Sequence, residues 1–308
     1  MSPALTFERV TRRFGAQVAL LDANLVLEPG LIGLLGPNGA GKTTFLRLAA
    51  GLIRPSSGRI AWFEGHPRRH PALDNRIAMS TDGDALPVRE SPHEWLTMLL
   101  ACSGFSRSEA ADRAEATLNR LGLGEKLDEP IAKLSRGQRQ RVKLAQAFAV
   151  PSDLLLLDEP MTALDPVWRM NVATMVREAA QAGACVVISS HILEEVEELA
   201  SRLVLLFKGR VVAAGSQQEI RDLLRNRGTS LRIHCDAPRR LGRELLDRSD
   251  IQVLRLEADS LEIEANDLGA VGLALPPAVL AADTKVRSVG SDGDDLVSLF
   301  KNLSKEVR

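Results

Sequence analysis

Residues 31–43 read LIGLLGPNGAGKT. Leu31–Leu35 is an apolar run of buried-strand type, and it leads straight into a glycine-rich loop. Residues 36–43 satisfy the pattern G-x-x-x-x-G-K-[ST], with a strand before it and a helical pattern after it. Gly36, Gly39 and Gly41 let the backbone turn tightly, so that successive N–H groups can face phosphate oxygens. The N-terminus of a helix over Lys42–Ala50 adds its positive dipole end. Lys42 is then placed to reach β- and γ-phosphates, and the Thr43 hydroxyl to ligate Mg²⁺. Each charge-assisted hydrogen bond of this kind is worth about 1.5–3 kcal/mol. A purely structural glycine turn is the other reading, and it has no use for the Lys-Thr pair. The loop specifies a nucleotide; it does not specify which machine uses it.

Outward from this loop, short apolar runs alternate with helical patterns over the first 225 or so residues, which predicts an α/β fold with a largely parallel sheet. Leu154–Leu157 and Cys185–Ser189 are further buried strands. A helix is expected from Asp165, with Pro166 at its first position, to a stop before Gly183. Leu203–Phe207 and Val211–Ala214, joined around Gly209, read as a β-hairpin. Ser216 and Glu219 form a capping-box pattern for a helix reaching Asn226. Between about 86 and 150 the pattern turns helical, with Glu94–Ser103 apolar and Arg107–Leu121 amphipathic, as a helical subdomain would be. From Gly228 the character changes. Strands at Leu231–Cys235, Ile251–Leu256, Leu261–Ala265 and Lys285–Val289 alternate with helices at Arg239–Arg248, Asn266–Ala282 and Asp294–Lys305, the second of these interrupted by Pro276 and Pro277. That order predicts a small ferredoxin-like module over 229–308, after a first domain over 1–226.

Composition narrows the class. The chain has 308 residues, 45% hydrophobic and 26% charged, as in ordinary globular proteins. Thirty-nine basic against forty acidic residues leave a net charge of −1, which argues against a general nucleic-acid coat. Apolar runs such as Leu203–Phe207 are far shorter than the roughly 20 residues that cross a bilayer. The N-terminus lacks the pattern of a secretory signal. Cys102, Cys185 and Cys235 are scattered without metal or redox spacing and read as packing or neutral thiols. The five histidines lack ligand spacing too, with His66 and His70 in a Pro- and Arg-rich loop.

A second acidic feature matches the loop. LLLLDEP spans 154–160, which places Asp158 and Glu159 at the C-terminal end of a buried strand, where doubly wound sheets bind ligands. Adjacent carboxylates repel, and a metal beside them relieves that cost. Asp158 is expected to hold Mg²⁺ through water, and Glu159 to point toward the γ-phosphate and polarise the attacking water. Two exposed acids closing a strand is the bland alternative. Asp165 is at least a helix N-cap.

Residues 134–138 read LSRGQ, followed by RQRVKLAQAFA in a helical pattern. With this motif the sequence resembles the ATP-binding subunits of ABC transporters, whose signature is LSGGQ; Arg136 replaces its first glycine, and Ser135 and Gly137 are intact. The resemblance spans roughly Leu5–Asn226 and implies a RecA-like P-loop core with an antiparallel β subdomain and a helical subdomain, followed by the small α+β domain. It implies ATP and Mg²⁺ as ligands, and a head-to-tail homodimer with two ATP molecules across the interface. Nucleotide would then touch Gly36, Pro37, Asn38, Gly39, Ala40, Gly41, Lys42, Thr43 and Thr44 of one copy and Ser135, Gly137 and Gln138 of the other. His191 matches the switch histidine at the γ-phosphate, so Lys42, Glu159 and His191 form the catalytic set. Phe14 matches the aromatic that stacks on adenine, with a core aromatic as the plain reading. Thr43, Asp158 and Asp82 are the metal candidates. Asp82, with Asp84 nearby, stands where the family has a glutamine, and its alternative is a structural position.

By the same resemblance, the membrane pore is a permease on a separate chain, met by the apolar helix around Trp95–Leu100. The location implied is the cytoplasmic face of the bacterial inner membrane. The C-terminal module resembles the domain that follows the ATPase in many bacterial exporters; its alternative is packing or dimer support. The expected function is therefore ATP hydrolysis coupled to export. The rival is a soluble ABC-type ATPase acting on nucleic acid, ribosomes or protein assembly. A single phosphate loop and the lack of a heptad array weigh against it, and an inactive homologue is disfavoured by Lys42, Asp158, Glu159 and His191.

Overall fold

The structure, a computed structural model, describes residues 3–63, 75–81, 83, 86–220, 229–246, 248–265 and 268–291. Asp82, Asp84, His66, His70, the end of the helix toward Asn226, Asn266 and the expected helix Asp294–Lys305 lie outside the described residues. Contacts divide the chain into two compact units, 1–214 and 215–308.

The first unit is built on a six-stranded sheet. Its strands are β3 (Gly30–Leu35), β5 (Ile77–Ser80), β6 (Leu154–Asp158), β7 (Cys185–Ser190), β8 (Arg202–Phe207) and β9 (Arg210–Ser216), in the order β5-β6-β7-β3-β8-β9. From β5 through β8 all pairings are parallel. β6 and β7 are buried along their whole length, which is why the sequence shows the continuous runs LLLLD and CVVISS without alternation. Lys208 and Gly209, both at positive φ, close the β8–β9 hairpin in two residues. A second, antiparallel sheet has the order β2-β1-β4, from β1 (Leu5–Phe14), β2 (Gln17–Leu27) and β4 (Ser57–Trp62). Helix α1 (Lys42–Ala49) joins the two sheets: Phe45 is fully buried and stacks on Phe7 of β1 at 4.7 Å between ring centres. Both rings share a core with Leu34, Leu154 and Val187 of the parallel sheet.

The helical region holds α2 (Pro92–Cys102), α3 (Arg107–Arg120) and α4 (Arg136–Phe148). Each starts on a serine with a full capping box: Ser91 with Glu94, Ser106 with Glu109, Ser135 with Gln138. Helix α5 (Pro166–Gln181) starts as expected, with the Asp165 carboxylate accepting from the Trp168 N–H and Pro166 at the first turn. The short α6 (Leu193–Glu197) follows β7.

The second unit runs β10 (Thr229–Cys235), α7 (Pro238–Leu245), β11 (Ile251–Leu256), β12 (Ser260–Ala265), α8 (Leu268–Ala281) and β13 (Val286–Ser291). Its antiparallel sheet has the order β11-β12-β10-β13, the split β-α-β arrangement of ferredoxin-like modules. Two expectations need correction. Helix α7 stops at Leu245 rather than Arg248. Helix α8 is continuous through Pro276 and Pro277. Val271, Leu275, Ala278 and Ala282 are buried in the core of this unit, while the two prolines are exposed. The carbonyls they deprive of partners lie at 272 and 273, on the exposed side, where water can satisfy them. The buried stripe outweighs the local penalty.

Two outcomes follow. Phe45→Ala removes a fully buried ring between the sheets and should destabilise the first unit by about 3–5 kcal/mol in urea unfolding; an unchanged midpoint would contradict the packing. Cys102 is exposed, whereas Cys185 and Cys235 are buried. Burial pushes the Cys185 thiol up to about 12. A native chain at pH 8 should therefore label rapidly at Cys102 alone, with Cys185 and Cys235 reacting only after unfolding.

Candidate nucleotide-binding site

The turn from β3 into α1 creates the site. Gly39 and Gly41 take positive φ of 79° and 107°, values that side chains rarely adopt. Gly41 also needs the space: a Cβ there would lie 2.4 Å from the Ala19 carbonyl oxygen of β2. Lys42, only 6% exposed, folds back so that its Nζ donates to the Gly36 carbonyl at 2.7 Å. The same ammonium lies 3.2 Å from Glu159 Oε1.

The carboxylates arrive on β6, parallel and adjacent to β7. Glu159 takes φ 49°, an uncommon conformation for a residue with a side chain. Its carboxylate bridges Lys42 and His191, whose Nδ1 lies 2.9 Å from Glu159 Oε2. Asp158 is buried and accepts from the Ser189 hydroxyl at 2.6 Å through Oδ1. Ser189 in turn accepts from the Glu159 N–H at 2.9 Å. One hydroxyl on β7 thus locks the relative position of both acids. Gln140 of α4 adds hydrogen bonds to the Glu159 and Pro160 carbonyls.

These groups face a cleft of about 500 Å³ that brings together Pro37 through Thr44, Asp158, Glu159 and His191. Thus most of the expected residues share one cavity. Gly36 lies beneath it, where a Cβ would come within 2.4 Å of the Leu206 carbonyl oxygen. Gln17, Val18, Ala19 and Thr162 also line the cleft. Sequence reasoning missed these, along with Ser189 and Gln140; the one available signal was the pair of serines before His191. Phe14 is not among the lining residues. It stands at the end of β1 opposite Gln17, nearly half exposed, with the Arg12 guanidinium 4.4 Å from its ring centre. That leaves the ring's other face for an aromatic ligand.

Ser135, Gly137 and Gln138 do not line this cleft either. Ser135 and Gln138 cap α4 through their mutual hydrogen bonds. Gly137 packs against the 161–165 loop, where a Cβ would lie 2.8 Å from the Ala163 carbonyl oxygen.

The residues present suit a divalent cation. Asp158 Oδ2 is buried with no hydrogen-bond partner, an expensive state for a carboxylate oxygen unless a cation or water meets it. Thr43 lines the same cleft. No cluster of three acidic, histidine or cysteine side chains that could hold a metal occurs among the described residues. Two protein ligands completed by phosphate oxygens and water is the pattern that Mg²⁺ favours.

Comparison with known proteins agrees with this geometry. Residues 20–162 match the family model described as ABC transporter. The Fe(3+) ions import ATP-binding protein FbpC of Brucella abortus (strain 2308) is 38% identical over 219 residues, 70% of this chain and 62% of that protein. The chain thus spans less than two thirds of the length of this relative. The daunorubicin/doxorubicin resistance ATP-binding protein DrrA of Streptomyces peucetius is 36% identical over 236 residues, 76% of this chain and 70% of that protein. Among solved structures, an ATP-binding subunit of an ABC transporter superposes with a TM-score of 0.65 at 28% identity, covering 71% of this chain and 92% of that one. A cassette solved as a dimer with ADP and Pi has a TM-score of 0.63 at 22% identity over 69% of this chain and 98% of that one, a likeness of fold. With the phosphate loop, the two acids of β6 and the LSRGQ helix all placed around this sheet, the chain belongs to the ATP-binding proteins of ABC transporters.

Proposed function

We propose that this chain binds and hydrolyses ATP as the energy-supplying subunit of an ABC transporter whose permease is a separate chain. The observation that carries the reading is the Glu159 carboxylate held between Lys42 and His191 at the mouth of the phosphate loop. A triphosphate entering the loop competes for the Lys42 ammonium. Glu159 is then released to accept a proton from water, with His191 and the Ser189-anchored backbone holding its orientation. Thr43 and Asp158 are the residues that would hold Mg²⁺, which would offset phosphate charge. Asp82 stays in the proposed metal set on the strength of the resemblance alone.

Ser135, Gly137 and Gln138 stand apart from their own chain's cleft, which favours a homodimer in which each copy completes the other's site. Bound nucleotide then stabilises association by mass action. No helix among the described residues is long and apolar enough to cross a membrane, consistent with a peripheral subunit at the cytoplasmic face. Helix α2, with Met98 exposed, is the proposed permease contact. As for direction, export is supported by the longer match to DrrA, a resistance protein by name, and by the ferredoxin-like module after the cassette. The name of FbpC favours the second reading, import. Uptake assays in inverted vesicles with the cognate permease separate them: ATP-driven accumulation inside means export.

Replacing Glu159 by Gln should lower hydrolysis by about two to four orders of magnitude while an ATP-bound dimer accumulates in sedimentation. Normal turnover in that variant would remove Glu159 from the proposed role. A chain that stays monomeric with non-hydrolysable nucleotide, Mg²⁺ and its permease would remove the dimer.

A further inference from the structure

Helix α8 is apolar on every side. No polar or charged residue occurs from Leu268 to Ala282. Val271, Leu275 and Ala278 form one side, buried in the core of the second unit. A helix that meets water on its other side is normally polar there. α8 instead presents Leu273, Pro276, Pro277 and Leu280, all exposed, the two leucines by 83% and 81%.

The neighbouring sheet edge is bare in the same way. β13 is an edge strand and pairs with β10. Val289 stands opposite Ile233, so both side chains point to the sheet face that α7 and α8 cover. Ile233 is fully buried there, whereas Val289 is 48% exposed. The apolar side of α8 and the β13 edge together have the character of a docking surface.

The chain itself delivers an occupant. Ala265 at the end of β12 pairs with Thr229, and Ser291 at the end of β13 pairs with Leu231, so both strands finish at the same end of the sheet. α8 starts at that end, and so does the sequence after Ser291, DGDDLVSLFKNLSKEVR. Asp292-Gly293 is a turn pair, and Asp294 and Asp295 suit the start of a helix. Leu296, Leu299, Phe300 and Leu303 recur at helical spacing, with Asp294, Ser298, Lys301 and Lys305 on the opposite side. A helix over 294–305 is about 18 Å long, against about 21 Å for α8. Only Asp292 and Gly293 separate it from β13, which gives it a high effective concentration at this surface and favours it over a separate partner.

We propose that residues 294–305 form a helix that docks beside α8, its Leu296, Leu299, Phe300 and Leu303 side covering Val289 and the exposed apolar side of α8. The second unit then carries three helices on one face of its sheet, with the charged side of the third in water. This inference stands apart from the nucleotide reading.

Hydrogen exchange of the full chain, beside a synthetic peptide of residues 292–308, provides the test. Amides of 294–305 should exchange at least about tenfold more slowly in the chain than in the peptide, as a docked helix requires. Phe300→Asp should return them to the peptide's rate, and Phe300→Leu should keep the protection. Leu280→Asp, at an exposed position of α8, should release the same segment while β10 and β12 stay protected, which separates undocking from unfolding. Peptide-like exchange in the wild-type chain overturns the proposal, and so does protection that survives both aspartate variants. Protection that is lost on dilution, as sedimentation passes from dimer to monomer, also overturns it, since a second copy would then be the occupant.

Discussion

The site depends on carboxylates placed at the end of a buried strand. Asp158 and Glu159 follow four leucines that are completely enclosed, so the acids cannot retreat into solvent without unravelling β6. Mutual repulsion would destabilise such a pair, and the surrounding fold is arranged to offset it. Ser189 takes one acid by its hydroxyl, Lys42 and His191 take the other, and the backbone of Glu159 is held in a left-handed conformation. Lys42 comes from the start of α1, Ser189 from the end of β7 and His191 from just past it. The parallel order β6-β7-β3 is what brings those segments to one edge.

The same arrangement explains why glycine occurs where it does in the loop. Gly41 lies against the Ala19 carbonyl, and Gly36 against the Leu206 carbonyl. The loop is therefore wedged between β2 and β8 rather than free to flex, and its N–H groups keep a fixed direction. Preorganised donors of this type bind anions without the entropic cost of ordering a loop.

The helical region reaches the site through α4. Gln140 donates to the Glu159 carbonyl, and Arg136 lines the cleft. Arg141, one turn deeper, donates to the Leu121 and Gly122 carbonyls and lies 4.1 Å over the Trp168 ring of α5. A rotation of α4 would disturb all three, so the region is coupled to the chemistry by geometry alone.

Local patterns were enough to read much of the molecule. The phosphate loop, the buried strands, the proline-started helix at Asp165 and the β-α-β-β-α-β order of the second unit depend on residues near one another in the chain, and periodicity or capping chemistry records them. The prolines of α8 misled because their penalty is local while the stripe of Val271, Leu275 and Ala278 that overrides it is tertiary. Ser189, Gln140 and Thr162 were equally illegible: each is an ordinary polar residue until strand order carries it to Asp158, Glu159 or the cleft. Motif spacing alone determined that the chain handles a phosphate anion. Which side chains gather at that loop was decided only when the strands paired, since a hydrogen bond acts over about 3 Å and sequence distance says nothing about such proximity.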